Sequence, residues 1–376
     1  MIYYLGYCKY EQIKEENRHT APASDNKMGY VISALKEAID EEFVVVSPAE
    51  TKSMKFVKGN NHKLEEKVFL KTFPSFSSRN KIIRVLGHLL TKISFIFYLL
   101  KNVHKGDELI VYHSLVFMNV IKFLKKIKKF RLIVEVEELY SDVTENEEQR
   151  KREIEYLQIA DGYIFITELL RNEINTQKPF AISHGTYKSV PDFSTRFDDD
   201  KIHVVYAGTF RKAKGGAFTA IPVAEYLDEN YVLEILGSGS EEEIEQVKQE
   251  IKEVSTKTKC KVNYVGFKSG DDFNSYIQKC HVGLSTQQSN AKFNATSFPS
   301  KVLMYMSNGL RVVSVRIPAI ETSDVSEYIY YYDNQSAEEI ADVIKSVSFE
   351  DSYDSREILD DLNENFVKQL KALLHR

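Results

Sequence analysis

Residues 297–313 read SFPSKVLMYMSNGLRVV, and the reading of this stretch decides the fold. Pro299 suits the first position of a helix, where its missing N–H costs nothing. Asn308–Gly309 is a C-cap pair. The apolar run LRVVSV (310–315) then follows without a linker. A helix feeding straight into a continuous apolar strand is the unit of a parallel sheet covered on both faces.

The same alternation extends upstream. IHVVYAGT (202–209), YVLEILG (231–237), KVNYVGF (261–267) and HVGLST (281–286) read as strands, with helical patterns at 216–228, 241–254 and 271–279. A second series fills the N-terminal half: IYYLGY (2–7), FVVVS (43–47), ELIVYHS (108–114), RLIVEV (131–136), GYIFIT (162–167) and FAISHG (180–185). Helical patterns lie among them at 27–39, 81–102 and 115–128. Two series predict two Rossmann-like, doubly wound α/β domains facing across a cleft, with ligands at strand C-termini. The polar, turn-rich SVPDFSTRFDDD (189–200) marks the junction. The expected domains are 1–188 and 201–355. The amphipathic tail at 356–376, with Leu362, Phe366, Leu370 and Leu373 on one face, returns to the first domain.

A chain of 376 residues that is 43% hydrophobic and 28% charged excludes collagenous, low-complexity and wholly disordered classes. The net charge of −5 hides a split. Lys52–Arg131 holds 18 Lys/Arg against 4 Asp/Glu, while the remainder holds 32 against 51. Such a basic block suits an anionic surface or ligand. Three widely spaced cysteines (Cys8, Cys260, Cys280) form no CxxC pair and no zinc pattern, so no metal is expected, and reduced cytoplasmic thiols are the simplest reading. The apolar stretch 82–100 is interrupted by Arg84, His88 and Lys92, which share one helical face with Lys81. Ile82, Leu86, Leu89, Ile93, Phe97 and Leu100 lie on the other side. With the lysines that follow at 122–129, this region (81–131) fits an interfacial helix on an anionic membrane. The alternative is a core-packing helix with a solvated basic face. No nucleic-acid-binding motif accompanies the block, so nucleic acid is not an expected partner.

Chemistry concentrates at strand exits. YAGTFRKAKGG (206–216) carries a strand into a loop with Gly208, Thr209, Arg211 and Lys214, then a helix start, an arrangement that suits a phosphate or diphosphate. It is neither GxGxxG nor a P-loop, and a solvated basic turn is the other reading. LGSGS (236–240) places Gly237 in a tight turn and Ser240 in a capping box with Glu243. Lys301 falls in the first helical turn after Ser297 and Ser300, where a cation is poorly matched to the helix dipole unless an anion binds there; a surface lysine without function is the other reading. In the N-terminal half His113, Glu137 and Glu138 close neighbouring strands, where they suit acid/base or sugar-hydroxyl roles; a satisfied structural group at a strand end is the other reading of His113. The loop RHTAPASDNKMGY (18–30) reads as a cover over the cleft or, more simply, as a solvent-exposed loop.

On these segments the chain resembles GT-B glycosyltransferases, in particular family-4-like enzymes of bacterial surface polysaccharides, including galactofuranosyltransferases. YAGTFRKAKGG is similar to the turn that opens the family's second domain, with Gly208 and Lys214 at its glycine and diphosphate lysine. Thr209 stands where many members have Arg, and Arg211 is the nearby substitute. FPSKVLMYMSNGLRVVS resembles the PSKLLEYMAxGxPVV segment, but the family's E-x7-E carboxylates fall on Thr296 and Met304. APASDNKMGYVISALKEA, His113 and VEVEELYSD resemble the acceptor side. The resemblance implies a hexosyltransferase without cofactor or metal. Its donor would be a nucleotide-diphospho-sugar such as a UDP-sugar, and its acceptor a glycan or lipid-linked glycan. It also implies a cytoplasmic site, peripheral on the inner membrane face. Lys214, Lys301 and Arg211 would stabilise the departing diphosphate, with His113 and Glu138 on the acceptor side and Gly208, Thr209, Gly237, Ser297 and Ser300 around the donor. A nucleotide-sugar epimerase of the same architecture, or a non-catalytic scaffold that has lost both carboxylates, are the alternatives.

Overall fold

The computed structural model describes residues 1–20, 22–144, 146–193, 196–211, 215–287, 296–349 and 353–374. The chain divides into two compact units, Met1–Thr186 with Glu364–Arg376, and Tyr187–Asn363.

The first unit runs β1 (Ile2–Leu5), α1 (Pro22–Ala38), β2 (Phe43–Ser47), β3 (Asn61–Glu65), β4 (Val68–Thr72) and α2 (Lys81–Asn102). It continues with β5 (Glu108–Tyr112), α3 (Met118–Lys128), β6 (Arg131–Val136), α4 (Tyr140–Thr144), α5 (Glu147–Leu157), β7 (Gly162–Phe165), α6 (Leu169–Ile174) and β8 (Phe180–Ile182). Its eight strands are ordered β3-β4-β2-β1-β5-β6-β7-β8. All pairs are parallel except the β3–β4 hairpin. Strands β1, β5 and β6 are almost wholly buried, as a sheet with helices on both faces requires.

The second unit runs β9 (Ile202–Thr209), α7 (Ala217–Ala220), β10 (Tyr231–Ser238), α8 (Glu241–Val254), β11 (Lys261–Gly266) and α9 (Gly270–Ile277). It continues with β12 (Val282–Ser285), α10 (Ser300–Ser307), β13 (Arg311–Val315), α11 (Pro318–Glu321), β14 (Ile329–Tyr332), α12 (Ala337–Lys345) and the start of α13 (Ser355–Leu374). The order β11-β10-β9-β12-β13-β14, all parallel, is that of a doubly wound nucleotide-binding sheet. The end of α13 belongs to the first unit, where Phe366 stacks on Tyr30 of α1 with ring centroids 5.7 Å apart.

Several local expectations are corrected. Residues 22–30 are helical, not a covering loop, because α1 begins at Pro22. The expected helix at 216–228 shrinks to the four residues of α7 and a 3-10 turn, Ile221–Tyr226, since Pro222 removes a helical donor. Pro299 is the residue before α10 and is extended (φ −70°, ψ 110°), instead of opening the helix. The apolar side of α2 is not the packed side. Gly87, Thr91, Phe95 and Leu99 are buried against the unit, and Ile82, Leu86, Leu89, Ile93 and Phe97 are exposed.

Candidate functional site

In the second unit the strand order reverses between β9 and β12, and ligands of open α/β sheets bind at such a switch point. β9 ends at Gly208–Thr209, in register with Gly237–Ser238 of β10. The two backbones are so close that a Cβ on Gly237 would lie 1.8 Å from the Gly208 carbonyl oxygen. Beyond the buried Phe210, Arg211 is exposed. The returning backbone is tied to the exit of β12, where the Thr286 hydroxyl donates to the Gly216 carbonyl (2.7 Å) and Gly215 bridges Gln287. Gly216 has a φ of +56°, which favours glycine.

Lys301 lies across this turn. A Cβ on Gly208 would sit 2.6 Å from its Cε and 2.9 Å from its Nζ. Its ammonium stands 4.9 Å from the Tyr206 ring centroid and 3.4 Å from the Tyr206 oxygen. Burial pushes the Tyr206 phenol up to about 12, so at neutral pH the ammonium faces a neutral ring. Tyr305 lies one turn later on the same helix and fixes α10 against the sheet. Its buried ring fills the space a side chain on Gly283 would take, 2.1 Å from that Cβ. Its hydroxyl accepts from the Ala207 N–H (2.8 Å) and donates to the Leu284 carbonyl (3.3 Å). The N-cap of α10, Pro299, makes no side-chain cap, and its carbonyl accepts the Val302 N–H (3.1 Å). Ser300 is exposed and Ser297 half-buried there. Ser240 is spent in the expected capping box, with the Glu243 N–H on its Oγ (3.2 Å) and its own N–H on Glu243 Oε2 (2.7 Å). Lys214 lies outside the described residues.

The first unit has its own switch point between β1 and β5, and a cavity of about 440 Å³ occupies it. Tyr7, Ser24, Met28, Tyr112, Ser114 and Tyr140 line it, with Glu50 and Val116 at one side. His113 and Glu138 are not in that lining. His113 is buried and pairs with Glu153 (2.7 Å), which also accepts the N–H groups of Tyr140 (2.9 Å) and Ser141 (3.1 Å). Burial raises the Glu153 carboxyl, but these hydrogen bonds outweigh it and hold the group below the usual carboxylate range. The pair therefore clips the exit of β5 to α4 and α5. Gly6 packs against Met28, Tyr4 and Tyr112, and beneath this floor the Tyr4 hydroxyl donates to Glu135 (2.6 Å). Burial, then the neighbouring Glu137, pushes the Glu135 carboxyl far up. Lys27 of α1, 3.5 Å from Glu137, donates to the Ser183 carbonyl (2.6 Å) and hydroxyl (2.9 Å). The sequence singles out Glu137, and the segments holding Lys27 and Glu135 resemble the acceptor side, but Glu135 itself, inside an apolar strand, gives no outward signal.

Residues 201–348 match the family model of glycosyl transferases, group 1. That stretch of the second unit is similar to the group 1 glycosyl transferases. No curated protein sequence matches the chain. Solved structures match along its whole length. The trehalose 6-phosphate synthase of Burkholderia multivorans has a TM-score of 0.63 at 11% identity, covering 99% of this chain and 93% of that one. The structure described as trehalose-6-phosphate from E. coli bound with UDP-2-fluoro glucose scores 0.61 at 10% identity, covering 100% and 99%. Sucrose-phosphate synthase from Thermosynechococcus elongatus scores 0.61 at 14%, covering 99% and 94%. At these identities the likeness is one of fold, and that fold is GT-B. Within the matched residues Gly208 and Lys301, read in the sequence as parts of two separate segments, meet. The two carboxylate positions stay apolar or uncharged: Thr296 is buried, and Met304 is half-buried with its carbonyl accepting from Ser307 and Asn308.

Proposed function

We propose that this chain is a hexosyltransferase-like enzyme that moves a sugar from a nucleotide-diphospho-sugar, most simply a UDP-sugar, to a glycan or lipid-linked glycan of a bacterial surface polysaccharide. The observation that carries this reading is Lys301 resting on Gly208 at the switch point of the stretch similar to group 1 glycosyl transferases. The bond that breaks joins the anomeric carbon to a phosphate oxygen, and its electron pair leaves with the diphosphate. The acceptor hydroxyl oxygen forms the new bond to the anomeric carbon, and its proton passes to the departing diphosphate. Negative charge therefore grows on the leaving group, where Lys301, Arg211, Lys214 and the positive end of α10 would meet it, with Ser297 and Ser300 as hydroxyl donors. The fixed cations supply that charge in this reading without calling on a metal. The cavity between β1 and β5 would take the acceptor, with Ser24, Tyr112 and Tyr140 as hydroxyl partners. Three buried free thiols fit a cytoplasmic location.

The test is nucleoside diphosphate release from UDP-, GDP- and dTDP-sugars with and without acceptor lipid extract. The proposal expects acceptor-dependent release. A new nucleotide sugar formed from donor alone would make the chain an epimerase. The uncharged Thr296 and Met304 favour one second reading, a non-catalytic scaffold, which would release nothing from any donor and bind none.

A further inference from the structure

We propose that the outward faces of α2 and α3 form a docking surface for an anionic bilayer, and that the first-unit cavity opens beside it to receive an acceptor carried on a lipid. The second half of this statement rests on the sugar-transfer reading; the first half does not.

Helix α2 is turned the wrong way round for a surface helix of a protein surrounded by water. Its packed side is made of Gly87, Thr91, Phe95 and Leu99, whereas Ile82 is 73%, Ile93 63% and Phe97 67% exposed. Leu86 and Leu89 complete that outer row at helical spacing. α3 packs beside α2 and adds the exposed Phe123 and Ile127. Exposed Phe56 extends the patch, since it contacts Phe76 (6.5 Å), whose carbonyl lies against Gly87 of α2. A contiguous patch of this size marks an interaction surface.

The charge pattern selects the occupant. Neither α2 nor α3 contains an Asp or Glu, and together they carry Lys81, Arg84, Lys92, Lys101, Lys122, Lys125, Lys126 and Lys128. A large apolar row flanked by lysines, of which Lys122 and Lys125 are set against Glu155 and Asp161 of neighbouring elements, matches a helix lying in the headgroup layer of anionic lipid. A second copy of this chain fits poorly, because a two-fold contact would set the same lysine-rich flank against itself. By length and composition α2 is long and apolar enough to cross a membrane. Its Thr91 hydroxyl nevertheless bonds the Pro74 carbonyl (2.8 Å), and its Phe95 ring packs on Phe73 (5.7 Å) and Phe117 (5.8 Å), so it lies flat on the unit.

The cavity borders this surface. His88 of α2 pairs with Glu50, a cavity residue, and Val116, also in the lining, is exposed. Tyr7 on the cavity wall stacks on Phe117 (5.0 Å), which packs on Phe95 of α2. An acceptor anchored in the bilayer under α2 would thus have its polar end at the cavity.

The test uses the full chain with vesicles of phosphatidylcholine alone or mixed with phosphatidylglycerol, read by co-sedimentation. Wild-type protein is expected to bind the mixed vesicles at least about tenfold more tightly than the neutral ones. I93S/F97S should lose at least about tenfold on mixed vesicles with its melting temperature kept, because those side chains leave water only in the bilayer. Equal binding by I93S/F97S, or no binding by wild type, overturns docking. A concentration-dependent dimer in vesicle-free buffer that I93S/F97S abolishes also overturns it, assigning the patch to a second copy. For the lipid acceptor, I93S/F97S should slow transfer to vesicle-borne acceptor while leaving UDP affinity unchanged. Unslowed transfer overturns that half. Vesicle binding by a protein that binds no nucleotide at all would refute the transfer reading and leave docking standing.

Discussion

Replacing Gly208 by alanine separates the site from the fold, and Gly283→Ala is its internal control. The new Cβ at 208 would meet the Cε of Lys301 at 2.6 Å and its Nζ at 2.9 Å, together with the Tyr206 oxygen at 2.9 Å. The obstacle is chiefly the tip of a flexible side chain, so Lys301 swings away. The fold then loses the ammonium–ring contact with Tyr206, roughly 0.5–1 kcal/mol. For a unit of this size that is a fall in Tm of only about 1–4 °C. The new Cβ at 283 would instead lie 2.1–2.5 Å from ring atoms of Tyr305, which is fully buried and hydrogen-bonded at its far end to Ala207 and Leu284. That ring cannot retreat, and overpacking costs about 3 kcal/mol or more, a fall of about 6–12 °C. Activity should order the variants by a different rule. If Lys301 stabilises the departing diphosphate as one oxyanion-type donor does, moving it costs about 10²–10³ in kcat. Thermal melting and donor turnover on both variants give the answer. G208A turning over at the wild-type rate would refute the role given to Lys301. A G208A melting drop as large as that of G283A would refute the geometry.

Glu135 is protonated in the folded chain up to about pH 8, because burial and Glu137 raise it, and it ionises near 4.5 when unfolded. Its folded pKa is raised, so its contribution to stability is present below about pH 4.5 and falls away as pH climbs to about 8, by up to ~1.4 kcal/mol per pH unit. E135Q, which keeps an acceptor for Tyr4 and cannot ionise, should therefore gain stability relative to wild type between pH 5 and 8; parallel melting-temperature profiles would contradict this. Ser240→Ala removes the α8 capping box and should cost about 1 kcal/mol in denaturant melts without changing UDP affinity. A loss of affinity there would place Ser240 on the ligand. H113Q should lower stability through the buried Glu153 it leaves, yet spare the acceptor KM, since His113 is outside the cavity lining.

Much of the second unit was legible because its elements announce their ends. The Ser240–Glu243 box starts α8, and Gly309, at a φ of +79°, stops the turn after α10. The β3–β4 hairpin was not legible, since NHKLE alternates exposed and half-buried polar residues and offers no apolar run. In α2 periodicity displays two faces but cannot say which one packs. The choice falls to Gly87, where a Cβ would be 2.3 Å from the Phe76 carbonyl, and to the small Thr91, which together let the backbone settle on the unit. The meeting of Gly208 with Lys301 was foreseeable only as two separate phosphate-friendly segments. Joining residues 93 positions apart requires the strand order that sets β9 next to β12. Glu135 was hidden for the converse reason, a carboxyl within a strand that otherwise reads as core.

The account's central claim is that Lys301 holds the diphosphate of a nucleotide-linked donor. Isothermal titration of UDP, with GDP and dTDP alongside, into wild-type and K301A protein tests it most directly. The account predicts measurable heat for at least one nucleotide and an affinity at least about tenfold lower in K301A, the factor that one lost contact of ~1.4 kcal/mol represents, with the melting temperature of the unliganded protein little changed. Equal affinity in the two proteins, or no heat from any nucleoside diphosphate, would contradict it.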